Sequence, residues 1–413
     1  MSSDLPPVAR AVLERLLELD EQVARQTVAR VRLTAAHYPD YFSGQQAAPR
    51  QAANSALSAL ADQGWVRLHW VKHEIGNWLA AVDLVPGGAA ALYALLGRTP
   101  RAVQAAALRA LLAEQTIHSA WQASFIAWVD HQLQSQRSVA PLALDDPRAN
   151  RDLLGVVGAL AQLRAPMLER LFSTQVLGDS KRFGLLRGKV LTVLRRHAPT
   201  AADFGDDENS LLRAFGLERV PEYVALSGPL VLSYHAQLFD LTGFSPSLAL
   251  SAAMLRLATV ADCAAQAVIT VENATSFSEL THHRPAEVLA IYTGGFASPA
   301  VIALLQQLQQ GWPRLAFYHW GDLDGGGLRI LTHLRKHLAH IGTLGMNVAT
   351  FDRYRRLAQP LTAGDQQALM AMQGMPALVD CADLIGALLN AGLKLEQEAI
   401  PVNEVLQQLL VRR

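Results

Sequence analysis

The sequence predicts a multidomain α+β protein, and three observations lead to this prediction. The chain has 413 residues, of which 51% are hydrophobic, so it is too long for one compact core and disorder is not expected. About the first hundred residues show helical patterns followed by two short alternating patterns. From about residue 264 onward, buried strands alternate with helices. The domain boundaries that fit these changes are residues 1–97, 98–255 and 256–413.

The composition limits which partners and which kinds of site can be expected. The 36 Lys and Arg residues balance 36 Asp and Glu residues, so a DNA-binding surface would need local clustering of basic residues. Cys263 and Cys381 lie far apart and outside any CxxC pattern, which excludes a disulfide framework and a thiolate zinc site. The N-terminus lacks a basic region followed by an apolar core, and no uncharged apolar stretch reaches spanning length. We expect a cytoplasmic protein without a membrane partner.

The N-terminal third shows helices followed by a hairpin. "PPVARAVLERLLELDEQVARQ" and "PRQAANSALSALADQG" have helical spacing, whereas "WVRLHWV" and "NWLAAVDLV" are alternating strands around the turn residues Gly76 and Asn77. This order predicts a winged helix whose candidate phosphate contacts are Arg50, Arg67 and Lys72. Winged helices also dock proteins, and the second helix has few side chains able to read bases, so both roles stay open.

A basic amphipathic helix is predicted after an Ala- and Leu-rich helical region. Six basic residues and no acidic one lie between Lys181 and Arg196, interleaved with apolar residues at helical spacing. Such a face suits a phosphate backbone, and the predicted DNA-binding residues here are Lys181, Arg182, Arg187 and Lys189. A solvated face or a docking site for an acidic partner would give the same pattern. The acidic stretch "FGDDENS" downstream could also neutralise part of the charge.

The C-terminal half alternates strands and helices. "AAQAVITVEN", "EVLAIYTGG", "RLAFYHWGD" and "MNVATFD" are the predicted strands, and "SPAVIALLQQLQQ" and "GGLRILTHLRKHL" are helices between them. Buried strands alternating with helices predict a mainly parallel sheet with helices on its faces. In such sheets the functional site lies beyond the carboxyl ends of the strands.

Three carboxylates occupy predicted strand ends: Glu272, Asp322 and Asp324. Residues i and i+2 of an extended segment point the same way, so the two aspartates can converge, and glycines 325–327 allow a sharp bend into a helix. Gathered carboxylates repel each other unless a cation neutralises them, and oxygen-only ligands suit Mg²⁺ or Mn²⁺. These three are the predicted metal and catalytic residues. Basic residues on the following helix could hold DNA or be solvated charges: Arg329, Arg335 and Lys336.

The sequence around these carboxylates resembles known families. "VITVEN" with "WGDLDGGGLRIL" is similar to the Toprim domain, a metal-dependent catalytic module of topoisomerases, primases and some nucleases. "VITVENATSF", "YHWGDLDGGGLRILTHLR", "VLGDSKRF" and "YVALSGPL" resemble the JetD family, the nuclease subunits of Wadjet plasmid-defence systems and relatives of the DNA-cleaving subunit of topoisomerase VI. The resemblance extends from about residue 170 to about residue 355.

The resemblance implies a dimeric, metal-dependent endonuclease that cleaves duplex plasmid DNA by hydrolysis. It implies an N-terminal winged-helix region, a central CAP-like winged-helix region and a C-terminal Toprim domain with a Rossmann-like parallel sheet. A condensin-like SMC ATPase complex of other Wadjet subunits would be its partner. By motif position, Glu272, Asp322 and Asp324 would be the metal-binding and catalytic carboxylates. Where the family has a Pro-containing turn, this chain has "DLDGGG", which predicts a more flexible loop.

Two alternatives remain open at this point. Transesterification through a covalent tyrosine, as in the topoisomerase relatives, would need a tyrosine of the winged-helix region, and Tyr38 and Tyr41 are the candidates there. A non-catalytic DNA-binding or adaptor subunit is the other alternative. An aspartate-nucleophile phosphatase is disfavoured because glycines 325–327 supply no hydroxyl after the second aspartate.

Overall fold

The computed structural model describes residues 5–21 and 28–411 of the chain. The architecture is mixed α/β and divides into two compact units, of which the first comprises Met1–Gln115 with Ile126–Arg151 and the second comprises Thr116–Phe125 with Asp152–Arg413. The predicted mixture of helices and sheets is confirmed. The three domain boundaries drawn from the sequence stay a prediction.

The first unit packs helices on a small antiparallel sheet. Strands β1, β3 and β2 form the sheet in that order, and the apolar stripe predicted for the first helix is fully buried in the core. The second predicted helix and both hairpin strands are present, and the first predicted helix is present as far as Asp20; its predicted part from residue 22 to residue 26 lies outside the described residues. In chain order the elements are α1 (Pro7–Asp20), β1 (Arg30–Arg32), α2 (Ala48–Asp62), β2 (Val66–Trp70), β3 (Leu79–Leu84), α3 (Gly88–Leu96) and α4 (Arg101–Ala113). The next two helices, α5 (Ala120–Gln134) and α6 (Pro147–Gln162), are each divided between the two units.

The second unit begins with helices and short strands. The basic helix predicted from the sequence is α8, and its apolar residues face the core. The elements that precede the main sequence of strands and helices are β4 (Met167–Leu168), α7 (Glu169–Leu177), α8 (Arg182–His197), α9 (Glu208–Ala214), β5 (Leu217–Glu218), β6 (Tyr223–Ser227), β7 (Leu230–Tyr234), β8 (Gln237–Asp240), β9 (Leu248–Ser251), α10 (Ala252–Leu257) and β10 (Thr259–Cys263).

A six-stranded sheet forms the centre of the second unit. Its strand order is β14-β13-β11-β12-β6-β9, with β14, β13, β11 and β12 parallel and β6 and β9 added antiparallel at one side. All five residues of β11 are buried, as expected for a strand covered on both faces. The elements involved are β11 (Ala267–Val271), α11 (Ala274–His283), β12 (Val288–Tyr292), α12 (Pro299–Gly311), β13 (Ala316–Trp320), α13 (Gly325–His337) and β14 (Gly342–Thr343).

The prediction of a fourth strand at "MNVATFD" is wrong. This segment forms helix α14 (Val348–Tyr354), because the Asn347 side chain accepts the backbone N–H of Thr350 at 2.9 Å and caps the helix. The fourth parallel strand is instead β14, whose two residues pair with Tyr318 and His319. The β-branched residues of the segment gave a strand-like pattern, but the cap decides the local structure.

The chain ends in helices around a second short strand pair. These elements are β15 (Gln359–Pro360), α15 (Ala363–Met372), α16 (Ala382–Ala391), β16 (Leu393–Lys394) and α17 (Val402–Val411). Within residues 5–21 and 28–411, no single helix is long and apolar enough to cross a membrane. The helical segments Ala363–Met372 and Pro376–Ala391 together reach a spanning length, but they are bent by 119° relative to each other.

Candidate active site

Two parallel strands place Glu272 beside the segment that follows β13. Val271 of β11 pairs with Trp320 of β13, and the backbone N–H of Glu272 donates to the Trp320 carbonyl at 3.2 Å. The backbone N–H of Asp322 donates to Glu272 Oε2 at 3.2 Å. The structure therefore brings together two of the three carboxylate residues predicted from the sequence, at the predicted edge of the sheet.

Asp324, the third predicted carboxylate, caps helix α13. Its Oδ1 accepts the backbone N–H of Gly327 at 2.8 Å, and its Oδ2 lies 3.8 Å from Lys394 Nζ. The three glycines form the first turn of α13 rather than the flexible loop expected from the sequence. A Cβ on Gly327 would lie 2.2 Å from the Asp322 carbonyl oxygen, so the close approach of helix and strand end requires glycine there.

A distant C-terminal segment docks against the same strand ends. Leu323 and Leu395 form an isolated antiparallel bridge, in which the Leu323 N–H donates to the Leu395 carbonyl at 2.8 Å. The backbone N–H of Gln397 donates to Asp322 Oδ1 at 2.7 Å. The fully buried Gln397 amide donates to the Trp320 carbonyl at 3.1 Å and accepts the Asn273 N–H at 2.9 Å. One buried side chain thus connects both strand ends to the segment after β16.

This segment adds two carboxylates to the site. Ligand oxygens of Asp322, Glu396 and Glu398 all lie within 4.8 Å of one another, and Glu398 also accepts a hydrogen bond from the Asn273 amide. Asp324 is not a member of this group. The sequence analysis missed Glu396 and Glu398. Their spacing of two residues in "KLEQEAI" repeats that of the aspartates in "GDLDG", but the segment has no strand-end pattern to draw attention to it.

Burial and mutual repulsion raise the pKa of two carboxyl groups here. Burial, followed by the charge of Asp322, raises the pKa of Glu272 to about 8. Burial, followed by the charges of Asp324, Glu396 and Glu398, raises the pKa of Asp322 to about 7, although the Gln397 N–H opposes the shift. Both shifts have the sign expected for carboxylates gathered without enough positive charge.

The donor set fits a hard divalent cation. The atoms available within the group of Asp322, Glu396 and Glu398 are carboxylate oxygens, the ligand type that Mg²⁺ and Mn²⁺ take in proteins. Burial, with the charges of Asp324, Glu396 and Glu398, raises the pKa of Asp322, so ionising this carboxyl group costs free energy. A cation bound by these oxygens would remove that cost.

The predicted DNA-binding residues divide into two groups. Four form ion pairs within the fold: Arg182 with Asp152, Arg187 with Glu169 and Glu208, Arg335 with Asp380, and Lys336 with Asp203. The acidic stretch "FGDDENS" thus contributes a partner for α8. No ion pair is recorded in the described part of the chain for Lys181, Lys189 or Arg329. Lys181 is exposed, and the Arg329 guanidinium packs against Gly205.

The two candidate tyrosines lie in the first unit. Tyr41 is fully buried, its hydroxyl donates to Asn54 Oδ1 at 2.7 Å, and it accepts the Leu79 N–H at 2.8 Å. Tyr38 is partly buried against the same core. Burial raises the pKa of both phenols. Tyr41 therefore serves the packing of the first unit, and the structure gives no support to a nucleophilic role for it.

The fold and the site define a mixed α/β protein with oxygen ligands gathered at the carboxyl edge of a mainly parallel sheet. Residues 227–409 match the family model described as Wadjet protein JetD, C-terminal. Wadjet protein JetD of Bacillus cereus (strain Q1) is 23% identical over 362 residues, which cover 86% of this chain and 87% of the relative. The chain therefore resembles Wadjet protein JetD over most of its length. The matched region includes every carboxylate of the candidate site.

Proposed function

We propose that this chain is the metal-dependent endodeoxyribonuclease subunit of a Wadjet defence system, with a Toprim-type catalytic domain. The observation that supports it best is the meeting of Glu272 with Asp322, Glu396 and Glu398 at the ends of two adjacent parallel strands. Hydrolysis of a phosphodiester needs charge stabilisation and an activated water, and an oxygen-only cation site supplies both.

The residues that would hold Mg²⁺ or Mn²⁺ are Asp322, Glu396 and Glu398. When bound, the cation supplies Lewis-acid polarisation of a phosphoryl oxygen and lowers the pKa of a bound water. Gln397 and Asn273 orient these carboxylates through hydrogen bonds to Asp322 and Glu398. Such supporting contacts fix ligands in place before the ion arrives.

Glu272 is the proposed general base or a further ligand. A base is most effective when its pKa lies near the working pH, and burial with the charge of Asp322 raises the pKa of Glu272 to about 8. The Asp322 N–H holds Oε2 of Glu272 in a fixed position. Asp324 takes a different role in this proposal, because its Oδ1 caps α13 and thereby positions the chain that includes Asp322.

Duplex DNA is the proposed substrate, and the basic residues contribute unequally to holding it. Lys181, Lys189 and Arg329 are the proposed backbone contacts, because the described structure records no acidic partner for them. Arg182, Arg187, Arg335 and Lys336 are paired internally, so DNA would have to compete with existing carboxylates for them. A homodimer working with the SMC ATPase complex of the other Wadjet subunits is the proposed assembly, on the strength of the similarity to JetD.

The test is cleavage of a circular plasmid with Mg²⁺ or Mn²⁺, by the chain alone and together with the Wadjet SMC complex. Native protein is compared with Glu272→Ala and Asp322→Ala, and Asp352→Asn, on the exposed face of α14, is the charge-matched control. We expect the control to cleave like the native protein and the two site variants to lose at least a hundredfold in rate. Equal cleavage by all four proteins would contradict the catalytic assignment.

The chemistry of the product ends separates hydrolysis from tyrosine transesterification. Hydrolysis leaves both new ends of each broken strand free of protein, whereas transesterification leaves one of the two ends joined to a tyrosine through a phosphodiester. Tyr41→Phe is expected to destabilise the first unit, because it removes the hydrogen bonds of the Tyr41 hydroxyl. Neither the native protein nor this variant is expected to form an adduct. Native protein that binds DNA but never cleaves it, with or without the SMC complex, would favour the adaptor alternative.

A further inference from the structure

Backbone contacts fix Lys394 at the edge of the candidate active site. It belongs to β16, where it pairs with Gln359 of β15, and the next residue, Leu395, forms the bridge to Leu323. Since Leu323 lies between Asp322 and Asp324, the bridge places Lys394 beside the aspartate pair. The position of the lysine is therefore set by main-chain pairing and does not depend on its own charge.

The ammonium of Lys394 makes two long ion pairs, so its three donors are not all used in hydrogen bonds. Its Nζ lies 3.8 Å from Asp324 Oδ2 and 3.4 Å from Asp365 Oδ2, and the side chain keeps 20% of its surface exposed. Asp365 Oδ2 already accepts the N–H and the hydroxyl of Thr362, at 2.9 and 2.8 Å. An ammonium has three donors, and neither contact has the distance of a well-made hydrogen bond.

Lys394 balances part of the negative charge of the site. The site contains Glu272, Asp322, Asp324, Glu396 and Glu398, and Lys394 is the basic residue that forms an ion pair with one of them within the described ranges. A phosphodiester entering this group of carboxylates meets repulsion at close range. A cation fixed at its edge offsets that repulsion and offers donors to a phosphate oxygen.

We propose that Lys394 contacts a non-bridging oxygen of the phosphodiester and so is a substrate-binding residue of this site. The proposal rests on the proposed function and names the group that binds its substrate. The lysine would exchange its long contact with Asp324 for the phosphate. Its role is separate from cation binding, because its charge opposes the approach of a cation to the neighbouring carboxylates.

The experiment compares Lys394→Gln and Lys394→Arg with the native full-length chain. Arg314→Gln is the matched control, since it removes one positive charge from an exposed residue just before β13, at the opposite end of the strand from Asp322. Three quantities are measured: plasmid cleavage in Mn²⁺, Mn²⁺ affinity by calorimetry without DNA, and affinity for a labelled linear duplex by anisotropy in Ca²⁺ over a series of salt concentrations.

We expect Lys394→Gln to cleave at least tenfold more slowly than the native chain and to bind Mn²⁺ as tightly or several-fold more tightly. The slope of log affinity for duplex against log salt should decrease by about 0.9, the value for one lost phosphate contact. Lys394→Arg keeps the charge, so it should keep most of the cleavage rate and the native slope. Arg314→Gln should match the native chain in all three measurements.

Three results would overturn the proposal. Lys394→Gln that cleaves like the native chain would show that the phosphate does not need this cation. Loss of Mn²⁺ affinity together with cleavage would show that Lys394 only supports Asp324. If the native chain cleaves no DNA under any condition, the proposed function fails by itself, and the salt slope still decides on Lys394: an unchanged slope in Lys394→Gln rejects the contact.

Discussion

The backbone N–H of Asp322 donates a 3.2 Å hydrogen bond to Oε2 of Glu272, a residue 50 positions earlier in the chain. Parallel pairing of β11 with β13 brings the two strand ends side by side. Gly321 separates β13 from Asp322 at this point, and its missing side chain leaves the space in which the Glu272 carboxylate lies. The geometry of the site therefore depends on a residue with no functional group.

Gly321→Ala should disable the site without unfolding the protein. Its Cβ would lie 2.6 Å from Glu272 Oε2 and 2.8 Å from Nε2 of the fully buried His319, so the carboxylate must move. We expect a cost of about 1–3 kcal/mol in unfolding free energy and a loss of Mn²⁺ affinity, measured by thermal unfolding and calorimetry. The control is Gly311→Ala, where no atom lies within 4 Å of the added Cβ. Native stability in Gly321→Ala would refute the close packing, and native Mn²⁺ affinity would show that Glu272 is not a ligand.

Cation binding should stabilise the protein more strongly as pH rises. Burial with mutual repulsion raises the pKa of Glu272 to about 8 and that of Asp322 to about 7. These folded pKa values exceed the unfolded ones, so without a cation the stability contributed by the protonated groups is lost as pH rises from about 4 to about 8. Bound Mn²⁺ compensates the ionised carboxylates. The increase in Tm caused by Mn²⁺, followed by scanning fluorimetry, should therefore be larger at pH 8 than at pH 6.

Asp322→Asn provides the internal check on this pH dependence. The variant removes one repelling charge, so its cation-free Tm at pH 8 should exceed that of the native chain, while the Mn²⁺ shift should disappear. Asp352→Asn, at an exposed position of α14, should change neither quantity. A Mn²⁺ shift of the same size at every pH would show that these carboxyl groups do not bind the ion.

Much of this site could be predicted from the sequence because its first part follows from strand register. Glu272 and Asp322 each follow a short apolar run, and the ends of parallel strands meet at one edge of the sheet. The contribution of Glu396 and Glu398 could not be predicted in this way. Their place depends on the bridge between Leu323 and Leu395, a contact between residues with no distinctive local pattern. The helix at Val348–Tyr354 was missed for a related reason, since one capping side chain outweighed a strand-like composition.

Gln397 is the residue whose loss should separate the C-terminal segment from the strand ends. Gln397→Ala removes the acceptor of the partly buried Asn273 N–H and one of the two donors to the Trp320 carbonyl, which keeps the Glu272 N–H. The unsatisfied Asn273 N–H should cost about 1–3 kcal/mol in unfolding free energy, measured by denaturant titration. Mn²⁺ affinity should fall with it, because Glu396 and Glu398 would no longer be held beside Asp322. Gln366→Ala, on the exposed face of α15, is the control. Unchanged Mn²⁺ affinity in Gln397→Ala would show that the backbone contacts of Gln397 and Leu395 hold the two glutamates without the Gln397 side chain.

The first unit should lose stability in acid through one carboxylate. Asp83 is buried, Arg30 donates to its two oxygens at 2.6 and 2.8 Å, and His69 Nε2 lies 2.8 Å from Oδ2. The hydrogen bond from Arg30, against the opposing effect of burial, lowers the pKa of Asp83 to about 2. Because the folded pKa is below the unfolded one, the stabilisation is complete above about pH 4 and is lost as pH falls toward 2. Thermal unfolding across this range should show a steep decrease in Tm for the native chain and a shallower one for Asp83→Asn. Asp62→Asn, at the exposed end of α2, should keep the native profile, and identical profiles for all three proteins would rule out the assigned role of Asp83.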